Sequence, residues 1–229
     1  MEVIGIVYCY PFTVGRDLES TSWADISTIS ELGMAQKYFQ VGDTKTIKVN
    51  GVNYQVRIIG FNHDNLTSGG KAGITFQMVD CLTTTYNMES SSTNANGWLN
   101  CAMRKTHLRT TIWGQLESSL KSVIKTVNKL ASAGNQSATI QTAQDTLFLL
   151  SEVEIFGKVT YSKAGEGTQY AYYAAGNSTI KKLNGSANYW WERSPYGSDT
   201  TYFCFVDSNG NASTSGANYT YGVAFGFCV

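Results

Sequence analysis

Few residues in this chain have the type and spacing that catalysis or metal binding requires. His63 stands beside Asp64, a pairing suited to acid–base or metal chemistry, but neighbours on a strand point to opposite faces and no further ligand group lies near them. A structural role is favoured. His107 follows Arg104 and Lys105 at an expected helix end, where cations complement the helix dipole, so a surface position is expected. With only 2 histidines and no G-x-S-x-G, P-loop or H-E-x-x-H signature, hydrolase chemistry lacks its parts. Glu152 and Glu154 would share a face on a strand and diverge on a helix. A solvated edge or a capping carboxylate is expected there rather than paired acid catalysis. Glu192-Arg193, next to Trp190 and Trp191, suits buried hydrogen bonding, with the guanidinium stacked on an indole and forked to carbonyls. We read it as scaffold. The 5 cysteines (Cys9, Cys81, Cys101, Cys204, Cys228) are odd in number and scattered, without a C-x-x-C pair or a histidine cluster. They are expected as core thiols, with a Cys204–Cys228 bridge left open. No catalytic residue, cofactor or metal is assigned.

The elements that must position any site lead instead to the C-terminal segment. From Tyr196 to Tyr221 the only formal charges are Asp199 and Asp207, and Tyr, Asn, Ser, Thr and Gly dominate. Rigid amphipathic rings with small donors and acceptors between them make a binding surface. A free strand edge of this length usually carries Lys or Glu against edge pairing; their absence points to a surface meant to be covered.

Composition narrows the rest. The chain has 229 residues, 42% of them hydrophobic, enough for a packed core. Lys and Arg number 17 and Asp and Glu 17, without a block of like charge, so nucleic acid and anionic membranes are unsuited partners. The apolar run Val3–Tyr10 is too short to span a bilayer and has no basic n-region or cleavage site, which reads as a chain without an export signal. With only 2 prolines and no charged linker, one domain is the simpler reading.

Val3–Val14 reads as a strand plus turn. Ser22 caps a helix whose face is Trp23, Ile26, Ile29 and Ser30, continued by Met34 and Tyr38, with Gly33 kinking or ending it. Ile47 to Ile58 alternates about Asn50-Gly51, a β-hairpin with one buried face. Ile74–Val79 reads as a strand, Glu89–Asn96 as a solvated loop, and Trp98–Met103 as a short helix. Leu116, Leu120, Val123, Ile124, Val127 and Leu130 lay an apolar stripe that predicts a longer helix stopped by Gly134. Ala138–Ile140 and Thr146–Leu150 read as strands, Ser151–Glu154 begins a short helix or turn, and Tyr170–Ala175 forms another. Helices and strands mix without βαβ regularity, which favours α+β.

At Trp190–Pro195 and Gly222–Val229 the sequence resembles a family of bacterial and phage domains ending W-W-x-R-S-P … Y-G-V-x-x-x-F. Members of that family occur among the target proteins of diversity-generating retroelements. Phe61–Asp64, Gly97-Trp98 with Met103-Arg104, and Leu147–Ser151 resemble its upstream landmarks. The resemblance implies a single C-type-lectin-like domain of the formylglycine-generating-enzyme type over 23–229, preceded by a strand and lead-in segment over 1–22, with a variable region of about 190–229. It implies that Trp190, Trp191, Arg193, Ser194, Pro195, Gly222, Val223, Phe225 and Phe227 hold the frame. It implies a displayed, ligand-binding set of Ser198, Asp199, Thr200, Tyr202, Phe205, Asp207, Asn211, Ser213, Thr214, Ser215, Asn218 and Tyr219. Asn codons of a template copied with errors at adenines would diversify to the residue types that fill this segment.

The expected function is therefore non-enzymatic binding of a protein or glycan on another cell or surface, without membrane insertion, by a protein of a phage virion or a bacterial surface. The alternatives are a formylglycine-generating-type oxidase using Cys204 or Cys228, and a structural phage or cell-surface module. Within the displayed set, Tyr202, Phe205, Asn211, Ser213, Asn218 and Tyr219 are expected on one exposed surface, with Phe203, Val206, Val223, Phe225 and Phe227 pointing inward.

Overall fold

A computed structural model describes residues 17–229; the strand and turn expected over Val3–Val14, and Cys9 with them, lie outside the described residues. The end of the lead-in is tied to the first hairpin: Leu18 is buried, and the Lys45 ammonium holds the carbonyls of Leu18, Glu19 and Thr21. Helix α1 (Trp23–Glu31) starts where the Ser22 hydroxyl accepts the Asp25 amide, and Gly33, at φ 68°, supplies the left-handed residue past its end. Its buried side carries Trp23, Ile26 and Ile29, with the indole edge-on to Phe76 (5.4 Å) and Phe227 (5.9 Å). A short α2 (Ala35–Tyr38) leads on.

Strands β1 (Thr44–Val49) and β2 (Val52–Phe61) form the expected hairpin, with positive φ at both Asn50 and Gly51 as a type I′ turn demands. Beyond the two-residue β3 (Asn65–Leu66), β4 (Ile74–Met78) is buried throughout because both of its faces are covered. Short α3 (Gly97–Asn100) and, after a π-helix, α4 (Trp113–Gln115) and α5 (Ser118–Lys121) precede β5 (Val127–Ser132) and β6 (Ile140–Asp145). Then come α6 (Glu152–Phe156), α7 (Ala171–Ala174), the hairpin β7 (Lys181–Leu183) and β8 (Ser186–Asn188), and the strands β9 (Trp190–Pro195), β10 (Tyr202–Val206), β11 (Ala212–Gly216) and β12 (Gly226–Cys228). Antiparallel pairing gives the orders β1-β2-β4-β12, β11-β10-β9 and β3-β5-β6. This is a mixed α+β architecture, and its buried apolar residues form one hydrophobic cluster running from Leu18 to Val229.

The structure corrects several expectations. The stripe from Leu116 to Leu130 is not a long helix: α5 is one turn, and Val127, Lys129 and Ala131 are buried in alternation on β5. Spacings of three and four across a turn and a strand imitate a helical face, and pairing with β3 and β6 overrides the local pattern. The real helical extension is the π-helix Met103–Ile112, whose buried apolar residues Met103, Leu108 and Ile112 recur at intervals of five and four. That wider period suits i→i+5 bonding and is invisible to a search at 3.6. Between the two strands expected at Ala138–Ile140 and Thr146–Leu150 lies the single β6, and Leu147–Leu150 are buried core. Glu89–Asn96 is not simply solvated, because Glu89 and Asn94 are buried.

Asn94 explains a glycine. Gly134 has φ 77°, and a Cβ there would lie 1.9 Å from the Asn94 carbonyl oxygen. Gly114 sits exposed on α4 at negative φ, with nothing near its would-be Cβ. Gly134→Ala is expected to cost roughly 2–5 kcal/mol, whereas Gly114→Ala is expected to stabilise by about 0.5–1 kcal/mol. Chemical denaturation of the two variants checks the pair; equal effects would contradict the packing at Asn94.

Candidate functional site

The C-terminal strands present a surface on a frame that is wholly internal. Every residue of β9 is buried, and all nine residues that the resemblance puts in the frame are among the buried residues. Two large indoles on one strand can be interior only if each N–H finds an acceptor. Trp190 Nε1 donates to the Thr179 carbonyl (3.0 Å) and Trp191 Nε1 to the Tyr86 carbonyl (2.9 Å). Gly222 passes where a Cβ would sit 2.4 Å from the Cys81 sulfur, and its carbonyl accepts the Trp191 amide. Arg193 donates to the carbonyls of Leu130, Leu149 and Glu166 and to the Glu154 carboxylate (Nη2–Oε1 2.8 Å).

Behind β9 the ion pairs continue. Glu154, third residue of α6, closes a capping box with Ser151, and its carboxylate also takes the Lys129 ammonium (2.7 Å). Lys129 reaches on to Asp64 (2.6 Å) and the Tyr170 hydroxyl (2.9 Å). Burial pushes both carboxyls up. The surrounding charges and hydrogen bonds outweigh it, chiefly Lys129 at Asp64 and Arg193 with Lys129 at Glu154, and hold both below the usual range, Asp64 well below. His63 belongs to this structural cluster, its ring 4.0 Å from that of Tyr170 and its Nε2 3.1 Å from the Thr168 carbonyl.

The other acids of the region behave differently. Glu152 is no solvated edge: its buried carboxylate accepts the amides of Thr160, Tyr161 and Ser162. Glu166 accepts the Ser132 amide and the Ser194 hydroxyl, yet burial raises it to about 7. Both carboxylate oxygens of Glu192 are buried without a partner among the described residues. Burial, then the nearby Glu152 and Glu166, push its carboxyl well up. Burial and the same three carboxylates likewise raise the Cys204 thiol. Cys81, Cys101, Cys204 and Cys228 are all free and buried.

Turns place the displayed residues. Asn94 is fully buried, and its side-chain amide donates to the carbonyls of Asp199 and Tyr202 (both 2.8 Å) while its oxygen takes the Asn135 amide. This pins the 196–202 turn from below. Asp199 accepts the Thr201 amide, and Asp207 accepts those of Asn209 and Asn211, so these two acids shape turns as Asx residues do. Around these turns Ser198, Thr200, Tyr202, Asn211, Asn218 and Tyr219 are exposed, and Asp199, Asp207, Ser213, Thr214 and Ser215 are half-buried. Gly216, cross-strand partner of Tyr202, lies against Asn218 and Tyr219, which brings those three exposed residues together; Asn211 stands at the opposite end of the β10–β11 hairpin.

Phe205 departs from its expected place. It is only 6% exposed, with its ring against Tyr189 (5.3 Å), Trp191 (6.1 Å) and Tyr221 (4.9 Å). Only Tyr202, at the start of β10, is exposed; from Phe203 to Val206 both faces of the strand are covered, and Phe205 falls within that stretch. Phe203, Val206, Val223, Phe225 and Phe227 are all buried. Sequence reasoning passed over Tyr189, Tyr196 and Tyr221. Tyr189 is 40% exposed, Tyr196 stacks parallel to Tyr202, and Tyr221 stacks parallel to Tyr219 while bonding the Ser215 hydroxyl. Their position beside the Trp pair and the displayed residues was the available signal. His107, expected at the surface, is half-buried within the π-helix with its ring 4.7 Å from that of Tyr86.

Fold and site together define an α+β domain with an aromatic and small-polar C-terminal surface on a buried frame. Over residues 72–229 the chain matches the family described as Domain of unknown function (DUF6273), and it belongs to that family. No curated protein and no solved structure matches it. Among the described residues, no group of three or more His, Cys, Asp or Glu is placed to hold a metal ion, and no helix is long and apolar enough to cross a membrane.

Trp191→Ala, which empties a fully packed site, is expected to cost roughly 3–5 kcal/mol. Arg193→Met, which strands buried Glu154 oxygens, is expected to cost about as much. A variant that melts like the parent would overturn the frame role of its residue.

The raised acids set a pH dependence. Glu166 and Glu192 keep protons in the folded state that the unfolded chain releases near its ordinary value of about 4.3. Their contribution is complete below that value and is lost as pH rises, through about 7 for Glu166. Asp64 and Glu154 act oppositely, and their contribution disappears as pH falls below the ordinary carboxylate range. The melting temperature is therefore expected to be higher near pH ~5 than near pH ~8, and Glu192→Gln should shrink that difference. Thermal melts at both pH values decide; an unchanged difference in Glu192→Gln removes that residue from the explanation.

Proposed function

We propose that the chain is a non-enzymatic ligand- or receptor-binding domain of C-type-lectin-like architecture, whose C-terminal surface is the diversified product of a diversity-generating retroelement. The observation that carries this reading is the separation of roles over Trp190–Val229. Backbone position is fixed from inside by Trp190, Trp191, Arg193 and the Asn94 amide, while Tyr202, Asn211, Asn218 and Tyr219 project outward. A segment built this way accepts many side chains without disturbing close packing. Tyr189, Tyr202 and Tyr219 supply exposed ring area, and Ser213 and Ser215 supply adaptable hydrogen bonding, a composition suited to a protein or glycan partner on another cell or surface. Phe205 moves from the displayed set to its support. The protein would act on a phage virion or a bacterial surface. The buried, protonated state of the Cys204 and Cys228 thiols favours binding over the thiol-oxidase alternative.

Sequencing the Trp190–Val229 coding segment across a population tests the origin: differences are expected at adenines in codons of the exposed positions, and frame codons should be constant. Even scatter over both sets would sink the retroelement reading. A library randomised at Tyr202, Asn211, Ser213, Asn218 and Tyr219 tests the display. Its members are expected to melt within a few degrees of the parent, at about 0.5 kcal/mol or less per exposed position, while differing in captured partner. Cooperative loss of folding across the library would refute a display surface.

A further inference from the structure

On a part of the molecule that shares no lining residue with 190–229, a cleft of about 400 Å³ opens between β3, β5, β6 and the Gly167-Thr168 segment. That volume lies within the range of about 300–1,000 Å³ typical of small-molecule sites. Asp64, Lys129 and Glu154 contribute to its lining as buried groups, and their hydrogen-bonding capacity is already spent. Lys129 gives its three donors to Asp64, Glu154 and Tyr170; Asp64 also holds the Thr75 hydroxyl, and Glu154 the Arg193 guanidinium. The pair of acids therefore offers little free negative charge to an incoming ligand.

Nearer solvent the situation reverses. Asn65, Asn128 and Thr142 are among the residues that line the cleft; the pairing of Asn65 with Asn128 and of Thr142 with Leu130 puts them on one face of the sheet, and their side chains make no hydrogen bond among the described residues, so their amide and hydroxyl capacity is unspent. Lys71 lines it too. Its ammonium gives one bond to the His63 carbonyl (2.9 Å) and pairs with no carboxylate among the described residues. With the inner acids neutralised by Lys129 and Arg193, Lys71 leaves the cleft one positive charge in excess.

We propose that this cleft is a second binding site, for a small hydroxylated anion: a carboxylate-bearing sugar of monosaccharide size. Lys71 takes the carboxylate, and Asn65, Asn128 and Thr142 bind hydroxyls as donors and acceptors. The fixed ion network beneath keeps the site open, because Lys129 and Asp64 cannot turn into it without abandoning buried partners.

The test is calorimetric titration of the full chain with glucuronate, glucose and acetate, with amide NMR shifts to locate binding. Glucuronate is expected to bind saturably and at least about tenfold more tightly than either of the others. Shifts should fall at Asn65 and Asn128 and not along Tyr202–Tyr219. Lys71→Met, at an exposed position, should keep the parent melting temperature and lose about tenfold or more in glucuronate affinity, and Asn128→Ala should weaken it too. Absence of saturable binding, equal binding of glucose or acetate, shifts confined to the C-terminal surface, or an unaffected Lys71→Met variant would each overturn the site.

Discussion

The buried chain of charge from Arg193 through Glu154 and Lys129 to Asp64 is the interaction on which the rest of the structure depends. Its members come from β9, α6, β5 and the loop after β2, so one network ties the frame of the C-terminal surface to elements far away in sequence. Charges this deep are tolerated because each is both paired and hydrogen-bonded; removal of any partner leaves a desolvated ion. The arrangement also fixes register. Arg193 reaches carbonyls on both sides of the network, Leu130 on β5 and Leu149 before α6, and a one-residue slip of β9 would forfeit every one of these bonds.

Against that interior, the acids without countercharge stand out. Glu192 carries two unpartnered oxygens beside Glu152 and Glu166, and Cys204 lies in the same acidic surroundings. The strand that carries Arg193, bonded to three carbonyls and a carboxylate, thus carries at the preceding position an acid with no partner among the described residues. Alternation sends neighbouring side chains to opposite faces, so one face of β9 is served by the ion network and the other is not.

Local signals were legible in the sequence where the chain itself determines conformation. Ser22 and Ser151 announced helix starts, Asn50-Gly51 a type I′ turn, and Glu192-Arg193 beside the two tryptophans a buried scaffold, each through residue types with a narrow set of conformations or environments; Ser194 and Pro195 joined that frame only through the family resemblance. Tertiary effects were not legible. The stripe through Leu120 and Val127 has helical spacing, but only long-range pairing decides that Val127 lies on a strand. Phe205 shows the same limit at the candidate site: its ring is drawn inside by Tyr189, Trp191 and Tyr221, residues whose convergence depends on the Trp190–Gly222 bridge. Asn94 sat in a run of Ser, Thr and Asn, and nothing in that composition distinguishes a clamp from a solvated loop. The chain of charge was equally hidden, since Asp64, Lys129, Glu154 and Arg193 become neighbours only after folding.

Strand β12 adds a consequence for how the protein is made. It is the outer neighbour of β4, and its Phe227 stacks on Phe76 at 5.2 Å, while Val229 exchanges backbone bonds with Ile74. A frameshift or premature stop between Met78 and Gly226 leaves Phe76 and Trp23 without the Phe227 ring and the sheet short of a strand. A chain so shortened lacks part of its interior, the kind of loss that lowers abundance through cellular proteolysis. The exposed positions between Tyr196 and Tyr219 are thereby flanked by buried residues on both sides, Trp190–Pro195 before them and Gly226–Cys228 after, so a shift of reading frame among them removes interior that an in-frame substitution leaves in place.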